Sequence, residues 1–443
     1  MGRMIVRFLK NSRGDEDFEL DSNQHGANNP AACLTLNDTS PTISAMKQLA
    51  PQPGVVEAAG TDLMNQLCSQ LDVNRELSKV LNDGSASSLY MLFEGGIVEA
   101  PKLPWESLFD KNREFLALDS RWPIGRMKKT VQPPPVHSLI SVDPVSKPLF
   151  KILAVLSAQG LCHLDEWEAL FQAKQRAMNT NAPFEVALSV VVSSNNLEGH
   201  IRKQDPQTTV IRLPKGKVSE IQTAIYNHKP HVIHFFCHGT DSYLEIADDA
   251  DYIHGSKRGS IHMYPNDILQ PVIRSKCDTW LVMLNCCDSA SSTNDTRSLA
   301  HNLVSETIPV IVGMREPIDR RDASELTQSF YSSLVDEVTS TQKSATPTVE
   351  LEWSNIFGLP RSNIRERSSG GNTTTAAAAE YKEWTLPALY TIYKPFLVKS
   401  SSSTAESQGA SQATQQVTNQ VVPIPDIPTK VVQALKSLEE SYE

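Results

Sequence analysis

The chain has 443 residues, 40% of them hydrophobic, with a formal net charge of −10 and a pI near 5.6. That apolar content can bury a large core, and the length exceeds what a single core usually organises. The acidic balance argues against general nucleic-acid binding, which wants a basic face, and no apolar run approaches the length of a membrane span.

The first residues (MGRMIVRFLKNSRGDEDF) lack the apolar stretch of a signal peptide, and Val6 stands where a myristoylation motif wants Ser or Thr. The seven cysteines are odd in number and show no CxxC spacing, which points to a reduced compartment rather than a disulfide framework. The expectation is a soluble, cytoplasmic protein with no cofactor.

Residues 1–57 are polar and turn-rich, with a short strand at Ile5–Leu9 followed by loosely ordered chain. Leu63, Leu67 and Leu71 then recur at helical spacing within Gly60–Asn82. Ser88–Phe93 and Phe115–Leu118 read as strands flanking Lys102–Leu108 (KLPWESL), and Gln132–Pro135 (QPPP) is a stiff break. Residues 58–147 therefore form a smaller α/β N-terminal portion, with its boundary at about 130–147.

Residues 148–398 alternate regularly. Lys151–Ser157 is an apolar strand, and the next helix carries Trp167, Leu170, Phe171 and Met178. Phe184–Val192 is a strand. A helix marked by Val218, Ile221 and Ile225 leads into a strand ending at His238. A helix at Pro265–Arg274 leads into a strand ending at Cys287. Leu299 and Leu303 mark a helix, Val310–Met314 a strand, and Ala323, Leu326, Phe330 and Leu334 a longer helix. Such alternation predicts an α/β fold, a mostly parallel sheet with helices on both faces. Residues 340–380, including Ser368–Thr375 (SSGGNTTT), lose the pattern and read as a flexible insert. Trp384–Leu397 returns to the core. Residues 399–443 form a low-complexity tail with a short amphipathic helix at Lys430–Leu438. No internal repeat is visible.

Two segments carry chemistry. His231–Thr240 (HVIHFFCHGT) and Leu281–Ala290 (LVMLNCCDSA) are short apolar runs ending in polar clusters, with His238 and Cys287 standing 49 residues apart. That leaves room for one crossover helix, so the strands can lie side by side with their C-terminal ends at the sheet edge where function sits in such folds. A thiolate needs a neighbouring base, which makes His238 and Cys287 a candidate dyad. The backbone N–H groups of Gly239 and Cys287 are candidate oxyanion donors. The plainer reading is two ordinary strand-end residues. A metal site built from Cys237, His238, Cys286 and Cys287 is disfavoured, because successive strand residues face opposite sides and leave only two ligands for one point. By the same alternation Cys237 and Cys286 point into packing, and His234 reads as a core histidine.

The pattern HFFCHG followed by LNCCDSA resembles the CHAT domain, a caspase-like cysteine peptidase family of clan CD. Lys102–Leu108, Glu114–Asp119 (EFLALD) and Arg126 are similar to that family's upstream stretch, Ser298–Phe330 to its helix–strand–helix, and Trp384–Tyr390 to its closing strand. The resemblance covers roughly residues 58–398. It implies a caspase-like fold, a general base at His238, a nucleophile at Cys287, an oxyanion donor at Gly239 and limited proteolysis of a protein substrate. Many relatives place Asp two residues before the nucleophile to accept a basic substrate side chain; Asn285 stands there instead. Asn285 and Asp241 are the substrate-pocket candidates. The acidic run Asp241–Asp251 offers carboxylates, although its plainer reading is a solvated hairpin. Relatives commonly work beside sensor or helical-repeat modules, so a separate regulatory protein is the expected partner. The alternative is a catalytically silent caspase-like scaffold or regulatory interaction protein.

Overall fold

A computed structural model describes residues 2–21, 29–48, 51–130, 135–139, 146–157, 163–213, 217–254, 259–287, 289, 291 and 298–401. The tail expected to hold a helix at Lys430–Leu438 lies outside these residues, as does most of the QPPP break.

The chain opens with β1 (Gly2–Lys10), β2 (Glu16–Leu20) and β3 (Ala32–Cys33), then α1 (Pro41–Met46), α2 (Val55–Cys68), α3 (Leu71–Asp83) and β4 (Ser87–Phe93). A small hairpin, β5 (Phe109–Asp110) and β6 (Glu114–Phe115), precedes β7 (Ile124–Lys128). The expected alternation follows: β8 (Leu149–Leu156), α4 (His163–Asn179), β9 (Glu185–Val192), α5 (Asn195–Gln204), β10 (Thr209–Arg212), α6 (Val218–His228) and β11 (Val232–Phe236). Beyond β11 come β12 (His238–Gly239), β13 (Leu244–Ile246), α7 (Asp249–His254), β14 (Ile261–Met263), α8 (Pro265–Ser275) and β15 (Leu281–Asn285). The rest comprises α9 (Leu299–Leu303), β16 (Val310–Met314), α10 (Arg320–Gln342), β17 (Thr348–Glu350), α11 (Gly358–Ser368), α12 (Thr375–Glu380), β18 (Pro387–Ile392) and β19 (Leu397–Lys399).

One sheet of 12 strands runs β10-β9-β8-β11-β15-β16-β18-β7-β4-β1-β2-β3. The strands from β10 to β16 are parallel. β18 pairs antiparallel with β16 and parallel with β7, and β7, β4 and β1 are parallel. The central strands β11, β15 and β16 are buried throughout. That is why they read as unbroken apolar runs rather than alternating ones. Helices α4 and α10 pack together on one face, α6 and α8 on the other.

Two expectations about organisation change. The N-terminal portion is no separate layer, because β18 hydrogen-bonds on both its edges and carries the sheet across the boundary expected near 147. β1, far from heading a loose segment, pairs with β4 over seven residues from Gly2↔Ser87 to Phe8↔Phe93. The second change is at 340–380, which is folded. β17 pairs with β19, and α11 packs on α10. The fully buried Arg361 donates to the carbonyls of Ile124 (3.3 Å) and Pro387 (3.1 Å). Isolated anchors such as Trp353, Phe357 and Ile364 hold this segment, so it shows no periodic stripe.

The junction of the two sheet halves is pinned by charge. Arg126 on β7 and Glu106 have fully buried side chains and meet through Nε–Oε1 (2.9 Å) and Nη2–Oε2 (2.8 Å). The remaining guanidinium N–H groups reach the carbonyls of Pro101 (2.5 Å) and Leu103 (2.9 Å). Burial alone would raise the Glu106 carboxyl, but the charge of Arg126 outweighs it and holds the group down to about 2. KLPWESL and Arg126 are thus a structural lock. Since the folded value lies below the ordinary 4.5, the ionised pair's contribution is complete above that value and lost as pH falls towards 2. Arg126→Met strands a buried carboxylate, and we expect a loss of about 3–5 kcal/mol in urea unfolding at neutral pH. That loss should shrink steadily as Glu106 becomes protonated.

Candidate active site

The site is built from the C-terminal ends of two neighbouring parallel strands. β11 and β15 pair in register from Val232↔Leu281 to Phe236↔Asn285. One residue further on, Cys237 and Cys286 place their sulfurs 3.4 Å apart, 1% and 2% exposed. The next residue on each chain is His238 and Cys287, both half-buried at the rim. Burial and the neighbouring sulfur of Cys286 push the Cys237 thiol well up, which keeps it protonated and inert. Cys237 and Cys286 are therefore packing residues, as alternation predicted.

Gly239 closes the approach. A Cβ there would lie 3.0 Å from both the Cys286 Cβ and the Cys287 carbonyl oxygen, so the strand end can pass this close only without a side chain. His238 and Gly239 form β12, which pairs antiparallel with β13, setting His238 opposite Glu245. β13 in turn pairs with β14. This hairpin is tied to the sheet rim: the Ala247 carbonyl accepts from the hydroxyls of Ser157 (2.5 Å) and Ser193 (2.7 Å), at the ends of β8 and β9. The Ala247 N–H donates to the Ser157 carbonyl at 3.1 Å.

Behind Cys287 the turn is held by Ser289, fully buried. Its hydroxyl lies 3.0 Å from the Cys286 carbonyl and accepts from the Met314 N–H at 2.9 Å. Its own carbonyl accepts from Ala300 N–H at 2.8 Å. Asp288 and Ala290 lie outside the described residues.

Beneath the rim, on the face covered by α4 and α10, lies a buried polar network. His234 places Nδ1 at 3.1 Å from the Tyr331 hydroxyl and Nε2 at 2.8 Å from Glu166. Asn285 donates to Glu166 (2.8 Å), the Thr327 hydroxyl oxygen (3.0 Å) and the Ala323 carbonyl (3.2 Å), and Thr327 donates to Glu166 at 2.6 Å. Asn285 is 3% exposed. The expectation of Asn285 in an open substrate pocket is thereby corrected, because its amide N–H groups are spent on the interior. The carboxylate beside it comes from Glu166 on α4, a residue that the sequence pattern did not single out.

Asp241 sits half-buried in the β12–β13 turn and accepts from the Ser242 hydroxyl at 2.7 Å. The rest of the acidic run is not a solvated hairpin. Glu245, Asp248 and Asp251 are buried. Asp248 and Asp251 cap each other's N–H groups at 2.9 and 3.0 Å, and Asp251 also accepts from Ser260 N–H at 2.8 Å. Near the site stands a second histidine that sequence reading missed. His163, the first residue of α4, places Nε2 at 2.5 Å from the Tyr252 hydroxyl and its ring edge-on to Phe236. Burial, then the charge of His238, lowers it to about 4, so its imidazole is neutral at neutral pH. Among the described residues no group of three or more His, Cys, Asp or Glu is arranged to hold a metal ion. No described helix is long and apolar enough to cross a membrane.

Three solved structures share a likeness at low identity. A complex of the Porphyromonas gingivalis RgpB pro- and mature domains is 9% identical, with a TM-score of 0.41 over 74% of this chain and 70% of that one. The Arg-specific cysteine proteinase gingipain R is 9% identical, with a TM-score of 0.41 over 74% of this chain and 68% of that one. The Saccharomyces cerevisiae separase–securin complex is 10% identical, with a TM-score of 0.34 over 70% of this chain and 16% of that one. No curated protein sequence matches the chain. The sequence model of the CHAT domain matches residues 196–347, a segment that contains His238, Gly239, Asn285 and Cys287. That segment is similar to the CHAT domain, and within it the ends of β11 and β15 lie side by side on one mostly parallel sheet.

Proposed function

We propose that the protein is a cysteine endopeptidase acting through a dyad of His238 and Cys287. The reading rests chiefly on one observation. The two residues follow adjacent, in-register parallel strands at a single rim, with Gly239 against the Cys287 carbonyl. The CHAT match over the same segment supports it.

In this mechanism His238 takes the thiol proton of Cys287, and the sulfur attacks the scissile carbonyl. The amides of Gly239 and Cys287 receive the developing oxyanion. Collapse of the tetrahedral species breaks the C–N bond, and the imidazolium returns its proton to the departing amine. Water, activated by the same imidazole, then hydrolyses the thioester and restores the thiol. His163, neutral and hydrogen-bonded to Tyr252, adds no charge that would oppose the imidazolium of His238. The substrate is a protein cut at few sites, in the cytoplasm, under control of a separate sensor or helical-repeat protein. Asp241, in the turn that follows His238 and Gly239, is the pocket residue carried into this reading.

Thiol alkylation by iodoacetamide at neutral pH should modify Cys287 ahead of Cys286. His238→Ala should slow the Cys287 reaction by roughly tenfold or more, since less of the sulfur is thiolate. Equal, slow labelling of both cysteines in the wild type would remove the dyad. In a screen of proteome-derived peptides, cleavage should vanish in Cys287→Ala and persist in Cys286→Ala, whose cost is packing. Gly239→Val should likewise lower cleavage by roughly 100-fold with the fold retained, because a side chain there displaces the Cys287 backbone. Undiminished cleavage in Gly239→Val would contradict the close approach.

A further inference from the structure

A cavity of about 650 Å3 lies at the opposite end of strand β8 from the dyad. Glu185, Val186, Ala187, Leu188 and Ser189 line it consecutively. Alternate strand residues face opposite sides of a sheet, so a cavity touched by five in a row opens on the strand's edge. The pairing explains why. β8 covers β9 along its whole length, from Leu149↔Glu185 to Leu156↔Val192, whereas β10 covers it only from Ser189 to Val192. Residues Glu185–Leu188 thus have a strand partner on one side only among the described residues. Helix α4 supplies one wall through Ala177 and Met178, and α6 supplies the other through Asn227 and His228. The space is a slot along the edge of β9 that runs up to the start of β10.

Its charge is opposite to that of the chain as a whole. Lys147, Lys151 and Lys174 line the slot, with Glu185 as the one lining carboxylate. Lys174 is neutralised by Asp205 at 2.6 Å. Lys147 donates to neutral oxygens of Asn181 (3.2 Å) and Ala182 (2.9 Å), and no carboxylate among the described residues pairs with it. Burial, then the charge of Lys151, lowers the His228 imidazole, so Lys151 remains the cation on that side. Natural proteins blunt or cover a free sheet edge; here the edge is recessed between helices and bordered by cations.

We infer that this slot binds an extended acidic peptide segment of a partner protein, which adds a short strand to the edge of β9. Main-chain hydrogen bonds to Glu185–Leu188 hold the segment, and its carboxylates meet Lys147 and Lys151. The inference is independent of any peptidase activity, because the slot shares no residue with the dyad.

The test uses a fluorescein-labelled heptapeptide of alternating valine and glutamate, titrated against the full chain in fluorescence anisotropy. Saturable binding is expected, weakening with salt. Lys147→Glu with Lys151→Glu should raise Kd by about tenfold or more. Lys151→Met, which keeps the stem packing, should raise it by about threefold, with thermal melts confirming that both variants fold. The same peptide N-methylated at alternate residues keeps its charge and loses amide donors, and it should bind about tenfold more weakly. Three results overturn the inference. One is no binding, or binding indifferent to the lysine substitutions. Another is full displacement by inorganic phosphate without an N-methyl effect, which makes the slot a small-anion pocket. The third is a wild-type dimer in sedimentation that Lys147→Glu with Lys151→Glu dissolves, which makes the edge a contact between copies of this chain.

Discussion

The in-register pairing of β11 with β15 is the constraint on which the site depends. Strand neighbours in a parallel sheet advance together, so fixing Phe236 opposite Asn285 delivers the following residues to the same rim. Both faces of that pair are occupied. On one side the sulfurs of Cys237 and Cys286 touch. On the other, Glu166 ties His234 of β11 to Asn285 of β15 and to Thr327 of α10. A one-residue slip would drive each of these groups onto the wrong face. The register that places His238 beside the end of the Cys287 strand is therefore set by packing that takes no part in chemistry.

The same economy appears at the junction of the sheet halves. β18 reverses direction between β16 and β7, so the N-terminal strands cover an edge that would otherwise be free. The buried Arg126–Glu106 pair sits there, and Arg315, just past β16, places Nη1 at 3.9 Å from the same carboxylate. Buried ion pairs are weak stabilisers against apolar replacements but costly to break in half. Here the pair joins the 101–106 turn to β7, through Glu106 and the carbonyls of Pro101 and Leu103.

Much of the C-terminal half was legible because its strands are buried on both faces and its helices carry apolar stripes. The termini of β8, β11, β15 and β16 fall within a few residues of the apolar runs that predict them. That the two polar doublets end neighbouring strands was legible too, since each closes an apolar run and the spacing leaves room for one crossover. What the sequence hid was order without periodicity. Residues 340–380 fold on single anchors such as Trp353 and on the buried Arg361, and neither forms a pattern. The burial of the hairpin after His238 was hidden by its acids, three of which are buried and used as caps or strand residues. Its entry from the far side depends on Gly259, where a Cβ would lie 2.2 Å from the Ile246 carbonyl carbon. Asn285 was misplaced because alternation gives its face but not its depth. His163 had no local signal: only tertiary folding brings the start of α4 to the end of β11.

The central claim is that the Cys287 sulfur forms a covalent bond to a substrate carbonyl with His238 as its base. It is tested most directly by exposing the full chain to peptidyl acyloxymethyl ketones that vary at the residue before the warhead, then mapping the adduct by mass spectrometry. The account predicts a stoichiometric thioether on Cys287 with at least one of these peptides, absent in His238→Ala. An adduct on Cys286, or equal modification with and without the imidazole, would contradict it.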